Sequence, residues 1–322
     1  MRRHAVAFAV VGSGLVACAL TTDLDGLTSA TPKGDGGNAQ TTMSSDGRVG
    51  TDPDGGACGD TASDAHHCGR CDHDCLGGAC VAGKCQTFVL ASGLDQPLGI
   101  GLSQGKLYVG VQGALLEMGL DGKDAKPVIS GVRPRYVWGT DTDFFFSREA
   151  DATIQRWPHS ADGQTTFIVG APTVHGVAAS PTHVYYTRYQ PAAKGGGIYR
   201  VTYPDPGAGP EKLKEWDGAE CVALADGKVY FAGDGADMAA LLREDGTVES
   251  LLEKGGPTGI SVIGNDAFIT RQGAGELVRV DLGTKETELL AHDLEAPSGI
   301  VATATALYFV ELRAGTVRGL AR

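Results

Sequence analysis

The sequence predicts an all-β protein: a six-bladed β-propeller preceded by a signal peptide, a disordered tether and a small disulfide-rich module. Three observations carry this expectation. A unit of roughly 40 residues recurs six times between residue 86 and the C-terminus. Within the units, short apolar or aromatic runs alternate with turn signals. Six Cys crowd into residues 58–85, ahead of the repeats.

Each unit starts from one pair of runs. Pro97–Leu98–Gly99–Ile100 leads to Leu107–Tyr108–Val109, and Tyr136–Val137–Trp138 leads to Phe144–Phe145–Phe146. His175–Gly176–Val177 precedes Val184–Tyr185–Tyr186, and Glu220–Cys221–Val222 precedes Val229–Tyr230–Phe231. Pro257–Thr258–Gly259–Ile260 and Pro297–Ser298–Gly299–Ile300 lead to Ala267–Phe268–Ile269 and Leu307–Tyr308–Phe309. The aligned positions 99, 137, 176, 221, 259 and 299 lie 38 to 45 residues apart.

A third run follows most pairs: Leu115–Met118, Ile154–Trp157, Ile198–Val201, Leu277–Val280 and a weaker Leu241–Arg243. Asp121–Gly122, Asp162–Gly163 and Asp245–Gly246 then supply hairpin turns. A fourth run closes several units, at Val128–Ile129, Phe167–Val169, Leu251–Leu252 and Leu289–Leu290. Four short strands per unit is propeller arithmetic. The last unit stops at Thr316–Val317–Arg318 without a fourth run, while Thr87–Phe88–Val89–Leu90–Ala91 matches the missing pattern. The N-terminal strand is therefore expected to complete the sixth blade, which removes two open sheet edges.

These units resemble YWTD-type propellers and the wider NHL-like and TolB-like six-bladed groups over residues 86–322. The likeness rests on Leu/Val–Tyr–x–x, Ile–x–Arg–Val, Asp–Gly and Pro-x-Gly-Ile. Val184–Tyr185–Tyr186–Thr187 comes nearest to the signature, and no unit carries its Trp or Asp. Receptor-like ligand binding is therefore not carried over.

The N-terminus reads as an export signal. Met1–Arg2–Arg3–His4 is positive and residues 5–17 are uncharged and mostly apolar, too short for a permanent span. The run ends in Leu15–Val16–Ala17–Cys18, which resembles the bacterial lipobox. The resemblance implies that residues 1–17 are removed and that Cys18 carries the lipid. Two or more acyl chains anchor stably. Ala19 at the next position leans, by analogy with enteric bacteria, towards the outer membrane. A place in the bacterial cell envelope, periplasmic or surface-exposed, is expected. Residues 18–57 are rich in Thr, Asp, Gly and Ser and read as a lipidated flexible linker. Asp52, Asp54 and Gly55 look faintly like a calcium loop without its spacing or distal Glu.

Cys58, Cys68, Cys71, Cys75, Cys80 and Cys85 form an even set in a segment too short to hold a core alone. In an oxidising compartment they are expected as three disulfides, with fifteen pairings open. The alternative is zinc on Cys68-x2-Cys71 with His66, His67 and His73. The Cys spacing resembles short modules of predicted myxobacterial lipoproteins over about residues 56–86.

The formal net charge of −12, with 20% charged and 42% hydrophobic residues, fits a globular chain. It argues against nucleic acid as a partner, which wants clustered Lys and Arg. Contact with a membrane is expected through the N-terminal lipid.

Pro-x-Gly-Ile, or its counterpart in the three units that lack it, opens each innermost strand and the next strand runs back, so both ends share one face. Tyr136, His175, Glu220, Thr258 and Ser298 then meet near the channel mouth, with Arg148, Arg188, Arg271 and Glu311 on the same rim. Arg135 joins them, replacing the Pro of other units. The four Arg read either as an anion-attracting patch or as solvated loop charges. Arg135, Tyr136, Arg148, His175, Arg188, Glu220, Arg271 and Glu311 are the candidate binding face.

No catalytic constellation and no cofactor are expected: no Gly-x-Ser-x-Gly elbow and no His-x3-His or His-Glu-x2-His pair is read. Six-bladed lactonases hold a channel metal on Glu, Asn and Asp. Glu220 fits one place, but Asn265 and Asp266 fall in a turn on the opposite face, and a channel metal is left open. Tyr108, Phe145, Tyr185, Tyr230, Phe268 and Tyr308 recur once per unit and read as core. Cys221 reads as a buried, inert thiol. The function expected is a lipid-anchored scaffold binding protein, peptide or glycan. A lactonase-like hydrolase or lyase and an envelope structural protein are the alternatives.

Overall fold

The computed structural model describes residues 49–51, 57–159, 165–170, 172–190, 195–207, 209–235 and 237–322. Cys18, the expected signal peptide, and Asp52, Asp54 and Gly55 lie outside them.

Two short antiparallel pairs precede the repeats. β1 (Val49–Thr51) pairs with β2 (Ala57–Asp60), and β3 (Cys80–Val81) with β4 (Lys84–Cys85). β5 (Phe88–Ala91) follows. Blade 1 comprises β6 (Ile100–Ser103), β7 (Lys106–Val111), β8 (Gly113–Gly119) and β9 (Lys126–Val132). Blade 2 comprises β10 (Val137–Gly139), β11 (Asp143–Arg148), β12 (Thr153–Pro158) and β13 (Thr165–Val169). Blade 3 comprises β14 (Val174–Ala179), β15 (His183–Arg188), β16 (Gly197–Thr202) and β17 (Glu211–Glu215). Blade 4 comprises β18 (Cys221–Ala225), β19 (Lys228–Gly233), β20 (Met238–Leu242) and β21 (Val248–Glu253). Blade 5 comprises β22 (Pro257–Ile263), β23 (Asp266–Arg271), β24 (Glu276–Asp281) and β25 (Thr287–Ala291). Blade 6 comprises β26 (Pro297–Ala302), β27 (Ala306–Glu311) and β28 (Thr316–Ala321), and its fourth strand is β5.

The ring closes as the sequence predicts. β5 lies antiparallel to β28, with Ala91 opposite Val317, Val89 opposite Arg318 and Phe88 opposite Gly319. The Phe88 ring covers Gly319, where an added Cβ would sit 2.4 Å from its Cζ. Arg318 reaches across to donate to Thr87 Oγ1 at 2.7 Å.

The innermost strands β6, β10, β14, β18, β22 and β26 contact one another around the channel. Their approach is close enough to require glycine. A Cβ on Gly139 would fall 2.0 Å from the Leu102 carbonyl oxygen, and one on Gly259 2.4 Å from that of Ser298. Outside this ring, each second strand is covered on both faces by neighbouring blades, so strict alternation is lost. Phe144, Phe145 and Phe146 are all buried, and Phe231, Phe268 and Phe309 are among the fully buried side chains. Of the six recurring aromatics, only Tyr185 is half-exposed, and its neighbour Tyr186 is buried instead. β17 was not legible as a fourth strand. It is the sequence Glu–Lys–Leu–Lys–Glu on an outer edge, where charge discourages pairing with other chains.

The Cys module holds three disulfides: Cys58–Cys71, Cys68–Cys80 and Cys75–Cys85. These bonds occupy every sulfur of the zinc alternative. The His73 ring bridges the carbonyls of Cys68 at 2.6 Å and Arg322 at 2.7 Å, which ties the module to the end of blade 6. Lys84 pairs with Glu288 of blade 5 at 3.2 Å.

If closure carries the ring, removing Phe88–Ala91 exposes the edge of β28 and the apolar faces beneath it. We expect that deletion to abolish the cooperative thermal transition of the propeller. A truncated chain that melts like the intact one would contradict it.

Candidate functional site

The channel mouth is built by a hydroxyl relay from blade to blade. At the end of the second strand in blades 2, 3 and 5 a Ser or Thr precedes the rim Arg: Ser147–Arg148, Thr187–Arg188 and Thr270–Arg271. Each hydroxyl is fully buried and donates to the backbone carbonyl of the mouth residue in the next blade. Ser147 Oγ donates to His175, Thr187 Oγ1 to Glu220 at 2.9 Å, and Thr270 Oγ1 to Ser298 at 2.5 Å. Ser147 and Thr187 also accept the N–H groups of Tyr136 and Gly176. The mouth residues are thus held by their backbones. The signal was present as a thrice-repeated Ser/Thr–Arg, of which the sequence reading took only the Arg.

Tyr136, His175 and Glu220 do come together. They are 6%, 2% and 8% exposed, so they lie beneath the face rather than on it. Tyr136 leaves blade 2 and crosses the channel. Its hydroxyl lies 3.0 Å from Glu220 Oε2 in blade 4 and 2.9 Å from the Thr258 carbonyl in blade 5. That hydroxyl holds one proton, and the Thr258 carbonyl can only accept. Both contacts are satisfied when Glu220 is a carboxylic acid donating to Tyr136, which in turn donates to Thr258. Burial drives Glu220 above the ordinary glutamate value of 4.5, with Asp234 adding to the shift and Arg135 and His175 opposing it. Burial and Glu220 likewise push Tyr136 well above the usual tyrosine range.

The second carboxylate is Glu149, in the single turn after β11, which sequence reading did not single out. It receives His175 Nε2 at 3.2 Å and Arg135 Nη1 at 3.1 Å. The hydrogen bond from His175 is the main cause of its lowered pKa. Arg135 Nη2 and His175 Nδ1 stand 3.5 and 3.8 Å from Glu220 Oε1. His175 stacks on Tyr189, ring centres 4.6 Å apart. Burial and Asp234 raise the Tyr189 hydroxyl to about 12.

The rim Arg are engaged one by one. Arg148 pairs with Asp151, and Arg271 with Glu276 at 2.6 Å. Arg188 donates to the Pro172 carbonyl at 3.2 Å and lies over the Tyr199 ring. Glu311 is only 2% exposed; it pairs with Arg318 at 2.7 Å and accepts from Thr316 and the Glu295 N–H. Asn265 and Asp266 sit at the far end of β22, where Asn265 donates to Asp281 and Asp266 pairs with Arg279 and Arg322. Glu220 therefore meets neither. Cys221 is buried, and burial raises its thiol to about 12.

One expectation needs correction. A Gly-x-Ser-x-Gly string does occur, as Gly101–Leu102–Ser103–Gln104–Gly105, and Ser103 Oγ lies 2.7 Å from His159 Nε2. The context is strand–turn–strand, whereas a nucleophile elbow is a strained strand-to-helix turn. Positive φ falls on Gln104 and Gly105, not on the serine. Ser103 is 4% exposed and also donates to the Thr140 carbonyl at 2.5 Å. The carbonyl takes the serine proton, so His159 acts as donor to Ser103 and the pair ties blade 1 to blade 2.

No protein-family model matches the chain, and no curated protein matches it either. Solved structures do. The chain is similar to a structure from a nidogen/laminin complex, with TM-score 0.54 and 12% identity over 61% of this chain and 80% of that one. It is similar to an auxiliary nutrient-binding protein from Bacteroides thetaiotaomicron, with TM-score 0.59 and 9% identity over 71% and 69%. A streptogramin B lyase gives TM-score 0.53 and 13% identity over 74% and 97%. The likeness is one of fold. Binders and an enzyme share it, so function must be argued from the mouth.

The Glu220 bridge has a pH signature. A carboxyl raised in the folded state stabilises the fold fully below about 4.5, and that contribution is lost as pH rises through the raised value. Glu220→Gln keeps a donor to Tyr136 without titrating. We expect unfolding midpoints of the native chain to fall from about pH 4.5 upward relative to those of Glu220→Gln. Parallel curves would show that Glu220 ionises normally.

Proposed function

We propose that this chain is an exported bacterial lipoprotein, anchored through Cys18 at the cell envelope, whose propeller is a scaffold for a protein, peptide or glycan ligand. The observation that carries the scaffold reading is the Tyr136–Glu220–Thr258 bridge. It commits to the fold Glu220, the carboxyl expected to hold a channel metal. It also makes the mouth a rigid surface bordered by Arg135, Glu149, Arg188 and Tyr189. The propellers of similar fold from a nidogen/laminin complex and a nutrient-binding protein are in keeping with such a role.

Export is supported by the disulfides. Three bridges within 28 residues require an oxidising compartment, and the positive start and short apolar run before Cys18 supply a route to one. The module's likeness to those of myxobacterial lipoproteins fits the same placement. Ala19 after Cys18 leans, by analogy with enteric bacteria, towards an outer-membrane position facing the periplasm or the exterior.

The anchor is checked by labelling cells with a fatty-acid analogue. We expect label and membrane association for the native chain and loss of both in Cys18→Ala; an unlabelled native chain would overturn the anchor. The face is checked by photocrosslinking residues placed in living cells at Arg188, Arg271 and, on the opposite face, Lys228. Crosslinks from the two mouth positions support the scaffold, and crosslinks from Lys228 alone overturn it. Stoichiometric calcium or zinc that is lost in Glu220→Ala would replace this reading with a metal-dependent enzyme.

A further inference from the structure

Beneath the Tyr136 bridge the channel continues as a cavity of about 190 Å³. Its wall is made by Ile100, Val177, Cys221, Ile260 and Ile300, one each from blades 1, 3, 4, 5 and 6. Among the described residues no charged side chain lines it, and the Ser261 hydroxyl accepts the Ala302 N–H at 3.0 Å. Tyr136 forms the floor, fixed to Glu220 and Thr258.

The two ends differ. At the mouth, Tyr136, Thr258 and Ser298 are buried. At the other end Leu102, Trp138, Val262 and Ala302 are half-buried, so the cavity opens on the face away from the mouth. Trp138 is held at that opening by a hydrogen bond from its indole N–H to the Ala179 carbonyl at 3.1 Å. The rim is therefore preformed rather than collapsed.

We infer that the channel is a blind apolar socket that binds a small uncharged molecule, an aromatic ring or a compact aliphatic group, entering beside Trp138. The chemistry follows from the wall. An apolar cavity of roughly 150 Å³ is enough to hold benzene. An apolar group entering the socket leaves water for a wall of aliphatic side chains, which favours its binding. A charged ligand would lose its hydration with no counter-charge in the wall. The socket opens on the side away from the mouth and shares only Tyr136, its floor, with the candidate binding face.

The test is a titration of the full-length chain with benzene, followed by methyl NMR. The expected result is saturable shifts confined to the methyls of Ile100, Val177, Ile260 and Ile300. Benzoate at neutral pH should leave them unmoved. Val177→Phe, and separately Ile300→Phe, should weaken benzene binding at least tenfold, since each ring fills the socket. The wild-type titration decides the matter even if either variant fails to fold. Absence of shifts up to the solubility of benzene, shifts outside the channel, or equal binding of benzoate would each overturn the socket.

Discussion

The antiparallel pairing of β5 with β28 is the interaction on which the rest of the molecule depends. A propeller blade is stable only when both of its faces are covered, and a ring supplies cover to every blade only if it closes. Here closure joins a strand from the start of the repeats to a strand at the end of the chain. The Cys module precedes β5 directly, and His73 ties it to the Arg322 carbonyl at the other terminus. The disulfides thus brace the sector where the ring is joined.

Closure sets the width of the ring, and the width sets the mouth. The innermost strands sit so close that Gly139 and Gly259 have no room for a side chain. At that separation one tyrosine reaches from blade 2 to blades 4 and 5. The hydroxyls of Ser147, Thr187 and Thr270 meet carbonyls of neighbouring blades without intervening water. Burying Glu220 beside Tyr136 is tolerable because the pair shares hydrogen bonds rather than charges. Glu149, more exposed, takes the ionic role: it pairs with Arg135 and accepts a hydrogen bond from His175. Two carboxyls in one cluster are driven apart by environment alone.

Periodicity made most of this fold legible in the sequence. The inner strand pairs, the six units and the closing strand all repeat in spacing and apolar content, because every blade solves the same packing problem. β17 escaped because an outer edge strand is selected for charge, and Leu213 is its only apolar residue. The disulfide pairing was out of reach because chain spacing does not say which sulfurs meet. At the site, the meeting of Tyr136, His175 and Glu220 was legible from strand direction. Their burial was not, nor was the crossing of Tyr136, since both depend on how tightly the ring closes. Glu149 was invisible because a turn residue carries no period. Ser103 was overlooked although its motif is plain, and its packing between blades explains that motif without catalysis.

Two faces of the ring then differ in character. The mouth is polar, paired and rigid, whereas the far end opens on an apolar channel beside Trp138. Both depend on a ring that stays shut. Native-state hydrogen exchange measures that most directly. If closure holds the ring, the amides of β5 and β28 exchange only with those of the innermost strands, at one shared global rate. Rapid exchange of β5, with the other blades still protected, would show a ring that opens locally and would contradict the account.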